Sequence, residues 1–138
     1  MSGCFYFITT STFGKRDIFK DKQCFSIILN SLKWLEENKR IELYFLIMMP
    51  SHLHIIIKLK ESYILASIMR SFKGYTGREI KKHLGLSTAI YQNQYYDHLI
   101  RKNESLLEII KYCWYNPVRR ELVESPYDYQ YYWSRYEL

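Results

Sequence analysis

The spacing of apolar residues changes several times along the chain, and each change predicts an element. Phe5 to Thr12, "FYFITTST", is aromatic and β-branched and predicts a first strand, with "FGKRDIF" after it as a loop. From about Asp21 to Asn38, Phe25, Ile28, Leu29, Leu32 and Leu35 recur three and four apart, which predicts an amphipathic helix packed on a sheet. "IELYFLIMM", Ile41 to Met49, has little polar content and predicts a second strand. Pro50-Ser51 breaks it before a third, His52 to Lys60, with which it can pair. A second helix is expected to take Ser62 as its cap and carry Leu65, Ile68, Met69 and Phe72 inward, with a bend or break at Gly74 and Gly77. Tyr95 to Ile100 predicts a fourth strand. Ser105-Leu-Leu-Glu108 fits a capping box, and Pro117 ends the last helix at or before Asn116. The tail, "SPYDYQYYWSRYEL", reads as aromatic and irregular. This order predicts an α+β sandwich, with helices on a mostly antiparallel sheet of ferredoxin-like or RRM-like type.

Length changes this picture little: residues 1–138 are read as one domain with one core. No apolar run approaches the roughly 20 residues of a membrane span, and "MSGCFYFITT" has no secretory pattern, so a soluble cytoplasmic protein is expected. Cys4, Cys24 and Cys113 have no CxxC spacing and are read as buried thiols. Charge is more informative. The chain has 20 Lys and Arg against 14 Asp and Glu, a net +6. Between Arg70 and Arg120 the basic residues Arg70, Lys73, Arg78, Lys81, Lys82, Arg101, Lys102, Lys111, Arg119 and Arg120 face only Glu79, Asp97, Glu104 and Glu108, which accounts for the whole excess. Such a surface suits phosphates, and 14 tyrosines supply faces for unstacked bases, although most of these rings are expected in the core.

The candidate chemistry lies in "MMPSHLHIII". Strand alternation puts Leu53, Ile55, Ile57 and Leu59 on a core face. His52 and His54 then share the opposite, more polar face, about 6.6 Å apart along the strand and able to converge on one ion. A third ligand is needed. In "IIKYCWYNP", Tyr112 and Asn116 are four apart and so neighbours on one helix face, away from Leu106, Ile110, Cys113 and Trp114. Spacing alone serves equally a surface tyrosine and a helix-end asparagine. Tyr115, Tyr95 and Tyr96 are rival tyrosines; His98 reads as a buried structural residue and His83 as a surface one.

"ITTSTFGKRDIF", "MPSHLHIII", "MRSFKGYTGREI", "YYDHLIR" and "YCWYNPVRRELV", in that order, resemble the single-tyrosine HUH transposases, within them most of all those associated with repetitive extragenic palindromes (REP). The resemblance implies that His52, His54 and Asn116 hold Mg²⁺ or Mn²⁺ and that Tyr112 is the nucleophile. Its implied substrate is single-stranded DNA, often beside a hairpin, cut through a 5′-phosphotyrosine with release of a 3′-hydroxyl. It implies DNA-backbone contacts from Arg70, Lys73, Arg78, Lys81, Lys82, Lys111, Arg119 and Arg120, and allows a homodimer. Two other classes share parts of the pattern. An RRM-like module would stack bases on sheet aromatics without the histidines, and a metal-dependent hydrolase would activate water without Tyr112.

Overall fold

The computed structural model describes residues 4–138. Residues 1–3, part of the N-terminal stretch read above as lacking a secretory pattern, lie outside them. Five strands form one antiparallel sheet: β1 (Phe5–Ser11), β2 (Ile41–Met49), β3 (His52–Leu59), β4 (Tyr96–Ile100) and β5 (Tyr132–Ser134), in the order β4-β1-β3-β2-β5. Helices α1 (Lys22–Glu37) and α2 (Leu65–Leu84) connect the first four strands, and α3 (Leu106–Trp114) and a single turn, α4 (Asn116–Arg119), lie between β4 and β5. The first four strands and two helices have the expected ferredoxin-like arrangement. β5 is a correction: part of the tail read as irregular pairs with Phe45–Ile47 at the β2 edge.

The two faces of the sheet carry two cores. Ile55, Ile57 and Leu59 pack with Ile28, Leu32 and Leu35 of α1 and Ile68, Met69 and Phe72 of α2. Phe45, Ile47, Met49 and Ile56 pack with Ile110, Cys113 and Trp114 of α3 and Tyr129 of the tail. β2 serves both through a bulge between Leu43 and Phe45. Ile41 and Leu43 face the first core; past the extra residue the parity flips, so Leu46 and Met48 face it too. The face expected to be polar around His52 and His54 is therefore covered. Ile56 beside them is fully buried and His52 is 8% exposed.

Other corrections concern helix ends. Ser62 does not cap α2: it sits in a turn at φ +71°, and Ile64 holds the cap position without a side-chain bond. Gly74 and Gly77 do not break the helix, because Leu65, Ile68, Met69, Phe72, Thr76 and Ile80 keep one buried stripe along it. That burial outweighs the roughly 0.5–1 kcal/mol each glycine costs relative to alanine. Ser105 does cap α3, accepting the Glu108 backbone N–H at 3.2 Å. α3 ends at Trp114 as Pro117 demands, and Pro117 then opens α4.

Candidate functional site

His52 is the first residue of β3, directly after the Pro50-Ser51 turn. That turn is pinned by the Thr12 N–H on the Ser51 carbonyl (2.9 Å) and the Phe19 N–H on the Pro50 carbonyl (3.0 Å). His54 follows on the same face, and the two imidazoles meet edge to face with centroids 4.7 Å apart. From the other side comes Asn116, 7% exposed, whose Nδ2 donates to His52 Nε2 at 3.3 Å. Residues 64 positions apart thus meet because α3 docks on the second core and the chain turns into α4 just above the strand.

Hydrogen bonds engage both nitrogens of His52 and one of His54. His52 Nδ1 lies 3.2 Å from Ser51 Oγ, and Thr9 Oγ1 lies 2.9 Å from His54 Nδ1. With Nδ1 of each ring paired to a hydroxyl, Nε2 is the ligating atom of each, for His52 once the Asn116 amide turns its nitrogen away, an arrangement that orients metal-binding histidines. Burial depresses His52 to about 4, with the Arg120 and Lys15 charges adding to it. Burial depresses His54 to about 3, with His52, Arg120 and Arg119 adding. Both rings are neutral at pH 7 and can donate lone pairs. The Asn116 amide presents nitrogen to His52 here, and a half-turn about its last torsion presents oxygen instead. Two neutral imidazoles and one amide oxygen fit a divalent cation, with positions left for phosphate oxygens. Thr9 and Lys15 escaped the sequence reading: only the β1–β3 register reveals that Thr9 pairs with His54.

Tyr112 stands one turn before Asn116 and is 65% exposed. The Arg119 guanidinium lies over its ring at 3.8 Å and donates to its backbone carbonyl at 2.7 Å. Its hydroxyl has no hydrogen-bond partner among the described residues, the imidazoles included. Of the rival tyrosines, Tyr115 packs edge-on against Trp114, Tyr96 is exposed, and Tyr95 is partly buried. His98 is a correction: it is half-exposed and bonds Glu104 at 3.1 Å instead of being buried. His83 bonds Asp21 at 2.9 Å. Cys24 and Cys113 are buried, whereas Cys4 is only partly so.

The expected phosphate contacts divide into groups. Arg119 and Arg120 reach the histidines through their fields. Lys111 is exposed on α3. Arg70, Lys73, Arg78 and Lys81 line one groove beside α2, while Lys82 stays outside it and pairs with Glu79 at 3.4 Å. Asp21, Cys24 and His83 also place ligand atoms within 4.8 Å of one another. Folding accounts for that cluster, since Asp21 caps α1 through the Cys24 N–H and pairs with His83, while the thiol is fully buried. No helix among the described residues is long and apolar enough to cross a membrane.

Comparison with known proteins agrees with this architecture. No curated protein matches the chain. It is similar to a solved REP-associated tyrosine transposase bound to a REP hairpin, at 19% identity and a TM-score of 0.76, over 96% of this chain and 77% of that one. It is also similar to a proposed transposase from Deinococcus radiodurans R1, at 14% identity and a TM-score of 0.60, over 79% and 87%. At such identities the likeness concerns the fold. Family comes from residues 1–115, which match the IS200-like transposases from β1 through the paired histidines and α3 to Tyr112. With that stretch matched, the chain belongs to the IS200-like transposase family.

Proposed function

We propose that this transposase cleaves and rejoins single-stranded DNA beside a hairpin, with Tyr112 as nucleophile and His52, His54 and Asn116 as the protein ligands of Mg²⁺ or Mn²⁺. The observation that carries the reading is the Asn116–His52 contact at 3.3 Å, which ties the turn after the tyrosine helix to the paired imidazoles. The hairpin-bound relative of the same fold supports a hairpin partner.

The Tyr112 oxygen attacks the scissile phosphorus, the phenol proton leaves, the bond from phosphorus to the 3′-oxygen breaks, and that oxygen departs as a hydroxyl. The 5′-phosphate stays on Tyr112 as an ester. An incoming 3′-hydroxyl reverses the step and joins strands with no outside energy source. A tyrosine hydroxyl is mostly protonated at neutral pH, so it depends on local positive charge. Arg119, stacked on the Tyr112 ring, and Arg120 supply fixed cations near the reacting phosphate. When bound, the divalent ion withdraws charge from that phosphate and helps orient it. Imidazole ligands suit Mn²⁺ better than Mg²⁺, which asks mainly for oxygen. The RRM-like alternative is disfavoured because α3 and the tail cover the sheet face on which bases would stack.

The test is incubation of end-labelled single-stranded DNA with Mn²⁺ and wild type, Tyr112→Phe or His54→Ala, run on a denaturing gel. A protein-linked 5′-phosphate fragment is expected from wild type alone. An adduct from Tyr112→Phe would refute the nucleophile, and cleavage without any adduct would point to water.

A further inference from the structure

Along one side of α2 runs an open groove of about 560 Å³ lined by Arg70, Lys73, Arg78 and Lys81. No carboxylate lines it, and none of the four cations forms an ion pair among the described residues. Lys73 and Lys81 line this groove alone, while Arg70 and Arg78 stand on a rim shared with a second groove that Glu79 lines; the four cations repel one another, and a polyanion relieves that repulsion. Lys73 is held in place by donating to the Gln92 and Asn93 carbonyls (2.6 and 3.2 Å), between the Tyr91 and Tyr95 rings.

Gly74 sits among these cations. A Cβ at Gly77 would meet the Tyr91 ring at 3.5 Å, but one at Gly74 would meet nothing within 4 Å. Packing therefore does not require glycine at 74, and helix propensity disfavours it. What the missing side chain provides is close approach to the helix from outside.

The groove and the histidines occupy opposite faces of the same end of the sheet. The groove wall begins where the Gln92 N–H bonds the Ser11 carbonyl (3.0 Å) and Ile90 accepts from the Phe13 N–H (2.8 Å), and Ser11 pairs with His52 across β1 and β3. A chain running from one face to the other must turn sharply round this edge, past Lys15. Duplex DNA, with a persistence length of about 150 base pairs, resists that turn, whereas a single strand makes it readily.

We propose that the α2 groove holds the backbone of a single-stranded DNA segment continuing from the histidine site, and that Gly74 sets how closely that backbone approaches. The inference rests on the DNA-cleaving reading above and adds where the uncut strand is anchored. Contacts are to phosphates, so anchoring is independent of base sequence.

The test uses full-length protein carrying Tyr112→Phe and fluorescence anisotropy with two DNAs: a hairpin alone, and the same hairpin with a single-stranded extension of about ten nucleotides. Gly74→Leu is expected to raise the melting temperature, weaken the extended DNA by roughly tenfold and change the bare hairpin less than about twofold. Arg70→Gln with Lys81→Gln should lower the salt slope for the extended DNA by about 1.4, some 0.7 for each phosphate no longer neutralised. Unchanged binding of the extended DNA by Gly74→Leu would overturn the proposal. Equal weakening of both DNAs would overturn it too, by placing the hairpin stem in the groove. Failure of the parent protein to bind either DNA would instead refute the DNA-cleaving reading itself.

Discussion

Neutral imidazoles, one buried and one partly buried, make stability depend on pH in a direction that can be worked out. His52 and His54 are depressed from 6.5 to about 4 and about 3, burial being the first cause in each, and Arg119, Arg120 and Lys15 add unfavourable charge. Between these values and 6.5 the unfolded chain binds protons that the folded chain refuses. Stability therefore rises with pH across that window and levels off above it. At pH 5 an unfolded imidazole gains about 2 kcal/mol from protonation that the buried one forgoes, so the pair together should cost roughly 4 kcal/mol relative to pH 7.5. Going no lower than pH 5 also keeps small the contribution of the carboxylates Asp21, Glu42 and Glu104, which are held below their ordinary values and matter chiefly in more acidic solution. Urea denaturation at both pH values, with a chelator so that no divalent ion competes, should show this loss in wild type. It should largely vanish in His52→Gln/His54→Gln, while His83 and His98, common to both proteins, cancel. Equal pH slopes for the two proteins would mean that the imidazoles are solvated, and the case for a pre-formed neutral ligand pair would fall.

Ile110→Ala should cost about 2–5 kcal/mol in chemical denaturation, because the side chain is fully buried between α3 and β2, and cleavage should fall further than stability alone explains as Asn116 loses its seat. Arg119→Met removes both the stacked guanidinium and the bond to the Tyr112 carbonyl, so covalent-adduct formation should slow by about tenfold or more while hairpin affinity changes less than about threefold. Mixing Tyr112→Phe with His54→Ala should not restore cleavage, since Asn116 bonds His52 of its own chain one turn from Tyr112; restored cleavage would show the tyrosine serving a partner subunit. Ser105→Ala should cost about 1 kcal/mol, read as a lower unfolding midpoint.

Where apolar period and breakers agree, the sequence alone determined the outcome. β2 has the bounds Ile41–Met49 that its apolar run predicts, α1 follows the Phe25–Leu35 stripe from its Asp21 cap, and Ser105 and Pro117 bound α3. The same local rules place His52 and His54 on one face of β3, since alternation needs no knowledge of what lies opposite. Tertiary structure decided the rest. Alternation cannot tell a solvated face from a second core, so only the docking of Ile110, Cys113 and Trp114 shows His52 to be buried, His54 partly so, and both rings neutral. The bulge in β2 explains an all-apolar strand that serves both cores, and it is set by pairing across β3 rather than by propensity. Gly74 and Gly77 marked a break by their intrinsic cost, yet a continuous buried stripe outweighed it and left a groove in its place. Contacts between Asn116 and His52, or Thr9 and His54, join residues 64 and 45 positions apart. Local composition carries no record of such pairs, because they exist only once register and helix docking bring distant segments together.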